Sequence, residues 1–162
     1  VESARISRGN CHDLATIRAD AFDVLFIPGG YGAAKNLSNF ASAGTGMVVH
    51  PEVARVIGEF LDAGKPIGAV CIAPATLAGV LHERGVSARL TVGNRQDHAD
   101  AVAALTQLGM QHVDSPVDQA VVDAERHVAS SPAYMVGPSV APVFRGIEQV
   151  VQQVLQWAAS RP

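Results

Sequence analysis

The chain predicts an α/β fold with a mostly parallel sheet covered by helices on both faces. Three observations carry that expectation. Short apolar runs of strand length alternate with longer stretches at helical spacing. The runs are apolar throughout, as strands buried on both faces are. Two of them end abruptly, at Pro28-Gly29-Gly30 and at Cys71-Ile72-Ala73-Pro74.

In chain order, residues 21–30 (AFDVLFIPGG) read as a buried strand and a tight loop. Residues 31–44 are rich in small side chains and read as a short helix or turn region. Residues 51–64 are the clearest helix. Pro51 suits its first position, Val53, Val56, Ile57, Phe60 and Leu61 form one face, and Gly64 suits the cap. Residues 66–71 (PIGAVC) are a second buried strand, and 73–85 a helix closed by Gly85. A third strand is expected over 89–93, a helix over 99–108, and a further strand from His112. Residues 119–122 and 127–130 suggest an antiparallel hairpin around Asp123-Ala124-Glu125-Arg126. A long amphipathic helix is expected over 138–157, with Val140, Val143, Phe144, Ile147, Val150, Val151, Val154 and Leu155 as its face. Near the start, Ala4-Arg5-Ile6 reads as a short strand and Gly9-Asn10 as a turn.

Composition narrows the partners. The chain has 162 residues, 48% hydrophobic and 17% charged, enough to bury a core. With 12 basic against 15 acidic residues, nucleic acid and anionic membrane are not expected partners. No apolar run approaches the roughly 18 residues of a membrane span. The two cysteines, Cys11 and Cys71, are expected as free thiols in a reducing compartment, which sets a cytoplasmic expectation. No His or Cys pair has metal-ligand spacing, so neither metal nor cofactor is expected. The stretch Gly29-Gly30-Tyr31-Gly32 lacks G-x-G-x-x-G spacing, so it is not a dinucleotide loop.

Cys71 is the candidate for chemistry. A strand that turns sharply into a helix at a cysteine is a nucleophile elbow, which lifts the side chain above the sheet. The helix N-terminus favours the thiolate, the reactive form. Gly29 and Gly30 let backbone approach closely, and N–H groups at Gly30 and at Ile72 would form an oxyanion hole. The competing reading is equally simple: Cys71 as a small core hydrophobe and the glycines as a turn. Cys11 has no motif around it. His98, in the run Gln96-Asp97-His98-Ala99-Asp100, is the most tempting histidine for a base, but with Asp97 or Asp100 near an N-cap it reads rather as a solvated helix start.

The stretches PGGYGAAKNLSNFA (28–41), VCIAPATLAG (70–79), SPVDQAVVD (115–123) and SPAYM (131–135) resemble the ElbB-type proteins. These belong to the class I glutamine amidotransferase-like superfamily, with the PfpI proteases and the Parkinson-disease-associated deglycase. The resemblance spans nearly the whole chain. It implies a flavodoxin-like three-layer α/β sandwich, a single amidotransferase-like domain over 1–162, and a homodimer. It implies a glyoxalase that needs neither glutathione nor metal, acting on small dicarbonyls and linked to isoprenoid biosynthesis. Cys71 resembles the family's nucleophile, and Gly29, Gly30 and Ile72 its oxyanion-hole positions. Asp118, Ser131 and Tyr134 lie in loops that resemble those shaping the family's site.

Two departures follow from the same resemblance. PfpI-type proteins place a histidine directly after the cysteine, where this chain has Ile72. That argues against glutamine hydrolysis. Family members also begin with a strand, a helix and a strand ahead of this segment, and the loop after their first strand carries a glutamate beside the cysteine. The expectation is a piece of a longer protein, with poor solubility and little catalysis for the isolated chain; the alternative is a partner that supplies the missing strand. The alternative to an enzyme is a redox or stress-responsive regulatory protein built on the same thiol.

Overall fold

The computed structural model describes residues 2–137 and 139–161. Among these residues six strands form: β1 (Leu25–Ile27), β2 (Ile67–Val70), β3 (Arg89–Leu90), β4 (Gln111–His112), β5 (Val121–Asp123) and β6 (Val128–Ser131). Six α-helices accompany them: α1 (Glu2–Ile6), α2 (Phe40–Ala43), α3 (Pro51–Asp62), α4 (Ala73–Glu83), α5 (Ala99–Gln107) and α6 (Val140–Ala159).

The main sheet has the order β1-β2-β6-β5. The pairs β1–β2 and β2–β6 are parallel, and β5 closes antiparallel on β6 as the hairpin reading expects. Strands β3 and β4 pair in parallel as a separate ribbon. Side-chain oxygens tie that ribbon to the hairpin. The Arg89 N–H donates to Asp123 Oδ2 at 2.8 Å, and the Thr91 N–H to Ser130 Oγ at 3.1 Å.

Side chains alternate across the strands with period two, and this builds two cores. On one face Ile27, Ile67, Ala69 and Val128 pack with Phe60 of α3, Leu77 and Leu81 of α4, and Leu105 of α5. On the other, Phe26, Val70 and Ala129 pack with Val143, Val150 and Val154 of α6. Close approach of α6 depends on bare backbone. A Cβ on Gly146 would sit 2.3 Å from the Val117 carbonyl oxygen, and one on Gly68 2.6 Å from the Phe26 ring. Among the described residues no strand pairs with the outer edge of β1. An apolar groove of about 180 Å³ runs beside it, lined by Leu14, Leu25, Ile27, Leu37, Val53 and Ile57 among others.

Three expectations need correction. Ala4-Arg5-Ile6 is helical, not a strand: the Gly9 N–H donates to the Ala4 carbonyl at 2.7 Å, and Ile6 is 81% exposed with no sheet to join. The third strand is shorter than 89–93, because the Thr91 hydroxyl accepts the Gly93 N–H at 3.0 Å and folds the chain out of the ladder. The final helix buries only part of its apolar face. Val140, Phe144 and Leu155 are more than half exposed, since they lie beside the stripe that meets the sheet. The expected helix start at Pro138 lies outside the described residues.

Candidate active site

Strand β2 delivers Cys71 to the carboxyl end of the sheet, the edge where open parallel sheets build sites. Cys71 has φ of 61°, in the left-handed region that a side chain rarely adopts. Its own N–H donates to the Ser131 carbonyl at 2.9 Å, so the end of β6 holds the turn. Helix α4 begins two residues later. Its N-cap, Ile72, makes no side-chain cap; Pro74 has no N–H, and the Ala75 N–H donates to the Ile72 carbonyl at 3.0 Å. A left-handed cysteine between a buried strand and a helix costs on the order of 1–3 kcal/mol, a strain that concentrates at functional sites.

The Pro28-Gly29-Gly30 loop, at the end of β1, touches this turn. A Cβ on Gly29 would lie 2.3 Å from Cys71 Cβ, 2.7 Å from the Val70 carbonyl oxygen and 3.1 Å from Cys71 Sγ. Only glycine fits there. Gly30, at φ of 95°, then turns the chain toward Tyr31. The N–H groups of Gly30 and Ile72 make no hydrogen bond among the described residues.

Cys71, Gly30 and Ile72 line one cavity of about 320 Å³. Tyr31, Phe40, Met135 and two alanines complete it. The chain between Ala33 and Leu37 is wound as a π-helix, a form that recurs at functional sites, and it brings Ala34 to the wall. Cys71 is half-buried and Cys11 exposed; both thiols are free.

The other expected residues fall differently. Ser131 acts through its carbonyl on Cys71, while its buried hydroxyl has no hydrogen-bond partner among the described residues. Tyr134 is 57% exposed and does not line the cavity; its neighbour Met135 does. Asp118 faces α6 instead, its carboxylate 3.9 Å from Arg145 and its carbonyl accepting from Gln149. His98 is no solvated helix start. Its ring is partly buried, with Nε2 against the Met135 carbonyl, so it braces the loop that walls the cavity. Among the described residues no histidine lines the cavity and no group of three or more potential ligands could hold a metal. Sequence reasoning missed Tyr31, Phe40 and Met135 as lining residues. Tyr31 and Met135 directly follow residues singled out for other reasons, and Phe40 lies in the stretch 28–41 that carries the resemblance without being singled out.

The parallel sheet flanked by helices defines the class as a flavodoxin-like α/β sandwich of the amidotransferase-like kind. The DJ-1/PfpI family profile matches residues 11–136, and the chain belongs to that family. It is 44% identical, over 96% of its length, to the human glutamine amidotransferase-like class 1 domain-containing protein 3, mitochondrial. It is 32% identical, over 98%, to the mitochondrial ES1 protein of Danio rerio. The chain spans 59% and 63% of the lengths of these two curated relatives. A solved structure of an isoprenoid biosynthesis protein with amidotransferase-like domain, from Ehrlichia Chaffeensis, matches with a TM-score of 0.85 at 36% identity. That match covers 96% of this chain and 68% of the other. The mitochondrial relatives overturn the cytoplasmic expectation. Free thiols report a reducing environment and do not name a compartment.

Proposed function

We propose that the chain carries the reactive centre of a cofactor-independent glyoxalase with Cys71 as nucleophile. The observation that supports it most is the left-handed Cys71 pressed against Gly29, with unpaired N–H groups of Gly30 and Ile72 in the same cavity.

The Cys71 thiolate adds to the aldehyde carbon of a 2-oxoaldehyde, making a C–S bond and an alkoxide. The Gly30 and Ile72 N–H groups receive that charge. A base takes the proton from the same carbon to give an enediol. Reprotonation at the neighbouring carbon leaves a thioester of the 2-hydroxy acid. One carbon is oxidised and the other reduced, so no outside oxidant is needed. Water cleaves the thioester and frees the thiol, yielding glycolate from glyoxal or lactate from methylglyoxal. Among the described residues, Tyr31 is the one lining side chain besides Cys71 that can ionise, and we assign the base to neither of them. Amide hydrolysis of glutamine is disfavoured because no histidine lines the cavity among the described residues.

The test is conversion of methylglyoxal to lactate by the native protein without glutathione or metal. Cys71→Ser is expected to drop to the buffer rate, while Cys11→Ser keeps full activity. Equal turnover by Cys71→Ser would overturn the assignment. The half-buried thiol also suits a regulatory oxidation site. Absence of turnover together with stoichiometric oxidation of Cys71 by peroxide would favour that second reading. The expected homodimer belongs to the same proposal, supported by the exposed Val140, Phe144 and Leu155 on α6. Phe144→Glu is expected to shift the sedimentation mass from dimer to monomer.

A further inference from the structure

We infer that the end of the sheet away from Cys71 holds a second binding site, for a small doubly charged oxyanion: a phosphate monoester or a dicarboxylate. It does not depend on the chemistry at Cys71. The site is a polar cavity of about 390 Å³, a volume that suits a small ligand. Its walls come from two local units. The β3–β4 ribbon and the residues before it bring Ser87, Arg89 and Gln111; the β5–β6 turn brings Asp123, Glu125 and Arg126. Strand register fixes its place. Val128, just after the turn, pairs with Ile67 at the start of β2, whereas Ser131 pairs with Val70, which leads into Cys71. Strand β5 also lies at the opposite end of the strand order from β1 and its uncovered edge.

Asp123 builds the site. Its buried carboxylate accepts the Arg89 N–H on Oδ2 at 2.8 Å and the Arg126 N–H on Oδ1 at 3.1 Å. One side chain thus pins the main chain of two arginines, one from each wall. Both of its oxygens are taken by amides, and among the described residues neither guanidinium has a hydrogen bond or an ion pair. Gln111 is the in-register partner of Arg89, so its amide adds a donor on the same wall. The Ser87 hydroxyl donates to the Gly109 carbonyl at 2.7 Å and leaves only an acceptor. Two guanidinium forks and an amide therefore offer donors without acceptors. Each fork matches a carboxylate or phosphate with two parallel hydrogen bonds, which a point cation does not. Two such forks on one cavity are neutralised by a ligand carrying two negative charges. Glu125 opposes it from the ridge shared with a neighbouring cavity that Arg84 lines.

The experiment is calorimetric titration of the native protein with inorganic phosphate and, separately, with succinate, at ionic strength held constant with chloride. At least one should bind with a Kd of about 1 mM or tighter, and the tighter of the two names the source. Arg89→Gln and Arg126→Gln should each weaken it about tenfold or more. Both keep the main-chain bonds to Asp123, so the melting temperature without ligand should not move. Where a glutamine variant does melt lower, the lysine variant, which keeps the charge and loses the fork, is read by the same criterion. Glu125→Gln should tighten binding severalfold. Arg145→Gln, on α6 beside Asp118, is the control and should bind as wild type does. Binding of neither anion by about 10 mM would overturn the site. So would wild-type affinity in either arginine variant, an equal loss in Arg145→Gln, or weaker binding in Glu125→Gln.

Discussion

Replacing Gly29 with alanine should damage the fold and the thiol together. Gly29 is not in the left-handed region, so its backbone accepts alanine; the whole cost is steric. The new methyl group would sit 2.3 Å from Cys71 Cβ, against about 3.4 Å for ordinary contact, a shortfall of about 1.1 Å. It would also sit 2.7 Å from the Val70 carbonyl oxygen, so it is caught between main chain and a strained turn. Neither neighbour is the free end of a flexible side chain. Overpacking of this kind costs typically about 1–3 kcal/mol, and the rigid neighbours put Gly29→Ala at the upper end. At roughly 2–4 °C per kcal/mol for a chain of this size, the melting temperature should fall by about 6–12 °C. Maleimide labelling of Cys71 relative to Cys11 should change at the same time, because the loop can relieve the clash only by moving the thiol. Gly46→Ala is the control, since a Cβ there meets nothing within 4 Å. Loss of less than about 0.5 kcal/mol, with an unchanged labelling ratio, would show that the loop and the cysteine turn are not in contact in solution.

Other consequences can be checked with the same protein. Cys71→Gly should be more stable than Cys71→Ala by about 1 kcal/mol, the reverse of the usual order, because only glycine rests easily at φ of 61°; equal urea midpoints would contradict the strain. Glu59 accepts the Ala19 N–H and an Arg55 hydrogen bond, which hold its carboxylate below the ordinary 4.5. The unfolded chain then takes up the proton first, so this contribution is complete above about 4.5 and is lost as pH falls through the lower folded value. Glu59→Gln should flatten urea midpoints over that acid range, and a slope identical to wild type would count against it. Burial likewise pushes the His112 imidazole below 6.5, outweighing the pull of Asp114, with the Arg95 charge adding to the lowering. The folded state therefore holds His112 neutral while the unfolded chain protonates, and stability should decline as pH drops below about 6.5. An NMR titration of the His112 ring with a midpoint at or above 6.5 would refute this.

Much of the fold is legible in the sequence because its strands are apolar throughout and its helices are punctuated. Pro51 opens α3, and Gly64, Gly85 and Gly109 adopt positive φ where helices stop. The hairpin is readable for the same reason: Asp123 accepts the Arg126 N–H and pins the turn it was expected to mark. Failures come where a side chain competes with the backbone or where the partner is distant. Thr91 ends β3 early through its own hydroxyl. The final helix spreads its apolar residues more widely than the sheet can cover, and periodicity cannot say which part of a stripe is buried. At the site, Cys71 and the two glycines announce themselves through turn chemistry. Phe40, Met135 and the brace from His98 do not, because nothing local distinguishes a cavity wall from any other half-buried residue.

The contact between Gly29 and Cys71 bears on how such a protein can change over generations. In the proposed reaction the Cys71 thiol is framed by backbone: a turn, two N–H groups and a glycine with no room for a side chain. The rest of the cavity is lined by side chains from separate places, namely Tyr31 and Phe40 from the segment after β1 and Met135 from the loop after β6. Drift at the second group can re-line the cavity without disturbing the first. Drift at position 29 must be answered at position 71 in the same lineage or be lost. On the proposed function, one scaffold can therefore change its selectivity while the turn at Cys71 stays locked, and an engineer should randomise positions 31, 40 and 135 and leave 29, 30 and 71 untouched.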